Sequence, residues 1–274
     1  RPVEISITCT DKEYDGTTNA TASAYEFEAE KDDRGIIEAD KEKITVRVSS
    51  ATFADKDAGE NKQVTIGTVT TSGDAAKNYT FTNNPTATAN IIPKKVKVTI
   101  NGSETATYTG AEQKLHTAAY DTVAGDMANA TVNYSPDNPV KAGIYTLTAT
   151  INDPNYQQDG ELAGTTTFTI NKGSLTHQDV TINAKQETTK TVNVSQFNIA
   201  APAGSLAPIG TYTLGLVTDD DTILDGKPTL ENGVITFTMA ANAEVSKTAT
   251  IQVIYTPEEN TYEAVTANII ITAS

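Results

Sequence analysis

The sequence predicts an all-β protein of three β-sandwich domains in tandem, and three observations carry that prediction. Apolar residues recur with period two over short stretches, as in Ile5, Ile7, Cys9 and in Tyr145, Leu147, Ala149, Ile151, the spacing of strands with one buried face. A polar corner ending in Tyr returns three times, as Ala76-Lys77-Asn78-Tyr79, Asp153-Pro154-Asn155-Tyr156 and Thr256-Pro257-Glu258-Glu259-Asn260-Thr261-Tyr262. Each corner leads into a closing strand, Thr86 to Ile92, Thr165 to Ile170 and Ala264 to Thr272. The junctions Pro93-Lys94-Lys95 and Asn171-Lys172-Gly173 leave little slack between closing and opening strands. Together these place immunoglobulin-like sandwiches at residues 1–93, 94–171 and 172–274 in an elongated arrangement. Its radius of gyration would be roughly 30 Å, against about 19 Å for a compact globule of this length.

In the first domain the strand at Ile5 to Cys9 runs into Lys12-Glu13-Tyr14-Asp15-Gly16-Thr17-Thr18, where Gly takes a positive φ and Asp bonds the amides that follow. Alternation resumes at Tyr25, Phe27 and Ala29, at Ile44, Val46 and Val48, and at Val64, Ile66 and Val69 with a one-residue slip. Between them, Glu28 to Lys43 is dense in both charges and reads as a solvated hairpin tip or short helical excursion. The alternative is a cation site from Glu30, Asp32 and Asp33.

These residues carry a resemblance. Lys12-x-Tyr14-Asp15-Gly16-Thr17-Thr18-x-Ala20, Gly35-Ile36-Ile37 with Asp40, Phe53-Ala54-Asp55-Lys56 with Gly59, Lys62-x-Val64-Thr65 and Asn78-Tyr79 together resemble the YDG repeat of bacterial surface proteins and adhesins. The resemblance covers nearly all of residues 5 to 93. It implies an exported β-sandwich repeat and brings no catalytic residue.

In the second domain Val96, Val98 and Ile100 open a strand, Asn101-Gly102 turns it, and Tyr108-Thr109-Gly110 occupies the place of Tyr14-Asp15-Gly16, so the two domains are divergent repeats. Pro139-x-Lys141-Ala142-Gly143-x-Tyr145-x-Leu147-x-Ala149, leading to Asp153-Pro154-Asn155-Tyr156 and Thr167-Phe168-Thr169-Ile170, resembles the MBG repeat, a β module often found beside YDG repeats. The polar stretch Gln157 to Gly164 departs from that pattern and reads as a loop, with a contact surface as the alternative. In the third domain Ile209-Gly210-Thr211-Tyr212-Thr213-Leu214 echoes the strand at Gly143 to Leu147. Leu230-Glu231-Asn232-Gly233-Val234 is a hairpin signal, because Asn-Gly supplies both positive φ angles of a type I′ turn. No named family accompanies this domain.

The corners Asn78 and Tyr79, Asn155 and Tyr156, and Asn260 and Tyr262 are expected to be structural, the ring capping the core and the hydroxyl bonding nearby backbone; a ligand-facing Tyr is the alternative. Asp219, Asp220, Asp221 and Asp225 are the one acidic cluster offering oxygens to a hard cation. Their spacing lacks the Gly and Glu of an EF-hand loop, so a solvated acidic turn is expected. No catalytic or cofactor-binding residue is expected and no cofactor is implied. His116 and His177 are the only histidines, both expected at the surface, and no Gly-x-Ser-x-Gly elbow exists. A glycosidase would need two carboxylates in a cleft, usually lined by aromatic platforms, and the chain has no Trp. A Lys–Asn isopeptide bond has candidates throughout but no distinguishing motif.

With 35 Asp and Glu against 20 Lys and Arg, the net charge of −15 repels phosphate backbones and anionic lipid, which makes nucleic acid and membrane surfaces poor partners; no nucleic acid and no membrane insertion are expected. Cys9 is the sole cysteine, so no intramolecular disulfide forms, and it is expected to be a small buried hydrophobe. No run of about 18 apolar residues is present to insert into a membrane. The chain opens at Arg1 without a signal-peptide pattern and ends at Ser274 without an anchor, and is expected to be a mature segment of a larger protein. The expectation is a monomeric, non-catalytic, extracellular segment of a bacterial surface protein acting as a spacer or display stalk. The alternatives are a module binding an unknown protein or glycan, with the third domain favoured, or an accessory region of a cell-wall or glycan enzyme.

Overall fold

A computed structural model describes residues 1–83, 86–160, 164–219 and 222–274. The chain is all-β, made of short strands in paired sheets in the manner of an immunoglobulin-like sandwich. Among the described residues the helical exceptions are Glu38–Lys41 and the 3₁₀ turns Ala76–Asn78 and Val194–Phe197. No helix among the described residues is long and apolar enough to cross a membrane. By packing the chain divides into two compact units. The first comprises Arg1–Asn101, Thr117–Asn133 and Thr148–Thr165, and the second Gly102–His116, Tyr134–Leu147 and Thr166–Ser274.

In the first unit the strand Pro2–Cys9 lies between Ala22–Phe27, antiparallel to it, and Thr80–Asn83, parallel to it. A second sheet runs Lys12–Glu13, Thr86–Ile92, Gly59–Ile66, Ala51–Phe53, Asn19–Ala20. Val3, Ile5, Ile7 and Cys9 are buried while Glu4, Ser6 and Thr8 face out, so each odd position meets the core residues Phe53, Val64, Ile66 and Ile91. Burying an Ile or Val side chain stabilises the fold by about 1.5 to 3 kcal/mol, which is why the alternation fixes the register. Burial also raises the Cys9 thiol pKa.

Two details depart from the alternation. Tyr25 is 40% exposed although its partner in phase, Phe27, is buried; it sits at the rim with its ring edge-on to Phe27 at 5.4 Å. The slip between Ile66 and Val69 is a strand break, because Val69–Ser72 leaves the Gly59–Ile66 sheet to pair with Thr45–Val48. The charged stretch is a solvated hairpin followed by the one-turn helix: Ala29 bridges Ile36, Lys31 bridges Arg34, and Arg34 pairs with Glu28 at 2.6 Å.

The unit is completed by Lys94–Val96 running parallel to Tyr156–Gln158, and Thr99–Asn101 antiparallel to Thr117–Ala119. Tyr156–Gln158 is thus itself a strand, and the expected loop from Gln157 begins only after it. Gly164 is held by the Ala149 N–H at 2.8 Å, and residues 161–163 lie outside the described residues.

In the second unit the core strands Thr248–Pro257 and Val265–Ala273 pair antiparallel and alternate strictly, burying Ala249, Ile251, Val253, Tyr255 and Ala267, Ile269, Ile271, Ala273. Val180–Ala184 and Gly210–Thr218 flank them, and Thr189–Asn193, Val234–Thr238, Thr229–Glu231 form the facing sheet. The Asn232-Gly233 turn has φ of 49° and 77°, as a type I′ hairpin requires, and pairs Glu231 with Val234. His116 corrects the expectation of a surface residue. It is half-buried, with Nδ1 2.9 Å from the Tyr134 hydroxyl, Nε2 2.9 Å from the Ser103 carbonyl and its ring edge-on to Phe168 at 4.8 Å. His177 is exposed.

Candidate functional site

The densest polar constellation grows from the Tyr14-Asp15-Gly16 turn. Asp15 Oδ1 accepts the Thr17 N–H at 2.9 Å and the Lys12 ammonium at 2.7 Å, closing a loop in which Gly16 holds φ 76°. Burial acts to raise the Asp15 pKa, but the Lys12 and Thr17 bonds outweigh it and the carboxyl sits below its ordinary value. The Tyr14 N–H donates to the Ile92 carbonyl at 2.8 Å, and its ring lies at the corner of Tyr156. There the two rings meet edge-on at 5.5 Å.

Asp126 receives both phenols. Tyr14 donates to its Oδ2 at 2.7 Å and Tyr156 to the same oxygen at 2.8 Å, while Lys56 Nζ lies 3.1 Å from Oδ1. Those three donors, Tyr14 first, hold the Asp126 pKa below its usual range. Burial, then Asp126, raises that of Tyr14. Tyr156 is pushed up to about 12, chiefly by burial. The Lys56 ammonium is raised by the Tyr14 hydroxyl and then by Asp126. The Tyr156 hydroxyl also accepts the Val123 N–H at 3.0 Å, and the Val123 side chain lies on Gly16, where an added Cβ would stand 3.0 Å from Cγ2. Asn155 completes the contact: its Oδ1 accepts the Ala58 N–H at 2.7 Å and its Nδ2 donates to Asp57 at 3.3 Å.

A second such contact lies within the second unit. The Tyr108 N–H donates to the Asn171 carbonyl at 2.8 Å, and the ring meets Tyr262 edge-on at 5.0 Å. Leu206 covers Gly110, where φ is 86° and an added Cβ would stand 2.4 Å from the Leu206 Cβ. The Leu206 N–H donates to Thr109 carbonyl at 2.8 Å, and the Tyr262 hydroxyl donates to the Leu206 carbonyl. Asn260, at φ 60°, offers its carbonyl to the Ala142 N–H at 2.8 Å. Here the Leu206 carbonyl receives the corner phenol, as Asp126 does in the first unit.

The corner at Asn78 and Tyr79 is built alike, with Asp40 in the place of Asp126. The Tyr79 hydroxyl donates to Asp40 Oδ2 at 2.9 Å and accepts the Ile37 N–H at 3.3 Å, and Asp40 is paired with Lys43 at 3.0 Å. Tyr79, Tyr156 and Tyr262 are all buried. Of the acidic cluster, Asp219 accepts the N–H groups of Ile223 at 3.1 Å and Leu224 at 2.9 Å, closing a turn. The Asp225 N–H bonds the Thr238 carbonyl at 2.9 Å, while Asp220 and Asp221 lie outside the described residues. Among the described residues no group of three metal-ligating side chains converges.

Asp126, Val123 and Leu206 were not singled out by the sequence. Asp126 follows a lone Gly in an irregular stretch, and nothing local distinguishes a carboxylate that accepts distant phenols. Lys56 belongs to the quoted Phe53-Ala54-Asp55-Lys56 signature, but its role emerges only from the fold.

Residues 1–89 match the YDG domain family. A comparison with curated proteins finds no match. Among solved structures the chain is similar to the human desmocollin-1 ectodomain at 9% identity and TM-score 0.25, covering 98% of this chain and 60% of that one. It is similar to Sidekick-1 immunoglobulin domains 1–4 at 11% identity and TM-score 0.27, covering 98% and 74%. It is also similar to Drosophila N-cadherin EC1-3 at 12% identity and TM-score 0.25, covering 97% of each chain.

Proposed function

We propose that the chain is a non-catalytic extracellular segment of a bacterial surface protein, in which YDG-type, MBG-type and third β domains in tandem space or display other parts of the molecule. The observation that carries this reading is the Tyr14–Asp126–Tyr156–Lys56 constellation. Its carboxylate, phenols and ammonium are spent on one another, in a contact within the first unit that joins residues the sequence assigns to the first domain with residues it assigns to the second. A group of that kind fixes one repeat against the next and leaves no free nucleophile or base for a substrate. The YDG match over residues 1–89 supports the same reading.

A second reading, a binding module, is favoured by one feature. A groove of about 750 Å³ in the second unit is lined by Leu214, Leu216, Val217, Leu224 and Pro228, with Asp219, Asp225 and Lys227 among its polar groups. A concave surface where aliphatic side chains stand beside charged ones can recognise a ligand. An array of glycans and host surface proteins, probed with the whole chain, separates the two. The spacer reading expects no saturable binding; binding abolished by Leu216→Asp would replace it with the module.

A further inference from the structure

We propose that the face formed by Ile37, Asp40 and Tyr79 is a docking site for the Tyr-x-Gly turn of a second YDG-type domain. Each of the three corners is tied to its own opening strand in the same way: Pro2 pairs in parallel with Thr80, Lys94 with Tyr156, and Gly173 with Tyr262, so that Arg1, Lys94 and Gly173 correspond. Two of the three carry a Tyr-x-Gly turn, with the tyrosines edge-on at 5.5 Å and 5.0 Å and an aliphatic side chain lying over the glycine.

The third corner has the receiving half of that arrangement, nearly atom for atom. The Ile37 N–H reaches the Tyr79 hydroxyl at 3.3 Å as Val123 reaches Tyr156 at 3.0 Å. The tyrosine then donates to an aspartate three residues on, Asp40 at 2.9 Å and Asp126 at 2.8 Å. In both loops the aspartate N–H closes back on the aliphatic residue's carbonyl, at 2.9 Å for Asp40 and 3.1 Å for Asp126. The difference is what lies on top. Val123 is half-buried against Gly16, whereas Ile37 is a 38% exposed isoleucine, and Asn78, in the place where Asn155 grips the Asp57-Ala58 turn, is exposed.

The occupied corner specifies the occupant's chemistry. It needs a glycine at positive φ for the aliphatic side chain to lie on, a phenol that donates to the aspartate, and a lysine that pairs with the same carboxylate. In residues 1–89 these are Gly16, Tyr14 and Lys56, so a second domain of this type presents the complementary set, its lysine taking the place of Lys43 beside Asp40. The proposal goes beyond the spacer reading and is decided by its own measurement, whatever the array finds.

The test appends a copy of residues 1–93 ahead of Arg1, so that Pro93 of the copy meets Arg1 as it meets Lys94 in the natural chain. Ile37→Cys in the original part is labelled with a thiol reagent, Cys9 being buried. Labelling should be roughly tenfold slower or more than in the 274-residue chain, the slowing expected when the docked state outweighs the open one by about 1.4 kcal/mol. Lys56→Glu in the appended copy, which sets a carboxylate against Asp40, should restore the fast rate. Equal rates in the two chains overturn the proposal, as does protection that Lys56→Glu leaves unchanged. Protection that grows with concentration in the 274-residue chain alone would put a second copy of the whole chain on the face, and also overturns it. Should the extended chain fail to fold, Val123→Ile in the natural chain makes the occupied corner copy the open one. It should leave the thermal midpoint nearly unchanged, and a fall of several degrees would mean that isoleucine cannot lie on a glycine turn there, which removes the basis of the proposal.

Discussion

One carboxylate, that of Asp126, takes donors from Tyr14, Tyr156 and Lys56 while its side chain is only 13% exposed, so its charge is tied to the folded state. Its pKa lies below its ordinary value when folded, and a group depressed in this way contributes stability above its unfolded pKa and loses it as pH falls through the folded value. Asp15, Asp40, Asp55 and Glu28 are depressed too, so the informative quantity is a difference. Asp126→Asn should lower the thermal midpoint at pH 7, and the gap from the parent should narrow as pH falls below about 4. A gap that is constant with pH would mean the carboxylate's charge does not matter to the contact. At Asp219, both side-chain oxygens are engaged by the Ile223 and Leu224 N–H groups. Millimolar Ca²⁺ should therefore leave the midpoint unchanged, whereas a ligand at 100 times its dissociation constant would add about 2.7 kcal/mol. A rise lost in Asp219→Ala would establish a cation site.

At the scale of elements, the strands were legible because burying every second side chain leaves a period that can be read without knowing the partner strand. The Asn232-Gly233 hairpin was legible for an equally local reason, the two positive φ angles. The tyrosine corners could be read as corners, but not the turns that sit on them, because a Tyr-x-Gly turn looks self-sufficient until the residue covering its glycine is known. Val123 and Leu206 lie about a hundred residues from the glycines they cover and share no local pattern. Their constraint is measurable. Gly110→Ala places a methyl 2.4 Å from the Leu206 Cβ at φ 86°, so it should destabilise the second unit by about 2 to 4 kcal/mol, strain and overpacking together. Gly204→Ala, at φ 84° with nothing within 4 Å, isolates the conformational part and should cost only about 1 to 2 kcal/mol. Equal costs in denaturant titrations would show that Leu206 yields freely and does not hold the turn.

For the whole molecule, composition spoke most directly about charge, since a sum needs no fold. What the sum could not give is where the cations go, and the structure pairs a part of them with carboxylates. Lys12, Lys43, Lys56, Lys62, Lys94 and Lys114 each pair with a carboxylate, as do Arg1 and Arg34. The more exposed of these pairs add little stability, but all of them cancel positive potential where it would otherwise gather. The net charge of −15 is therefore not offset by a basic patch built from these residues. At about 0.1 M salt, where the screening length is about 10 Å, the field near the surface should still repel a polyanion. The chain should pass unretained through immobilised heparin and fail to sediment with phosphatidylserine vesicles, and it should bind an anion exchanger until salt elutes it. Retention on heparin that falls steeply with salt would reveal a cationic stripe that the pairing conceals, and would make a polyanion, such as a sulfated glycan, the ligand to pursue.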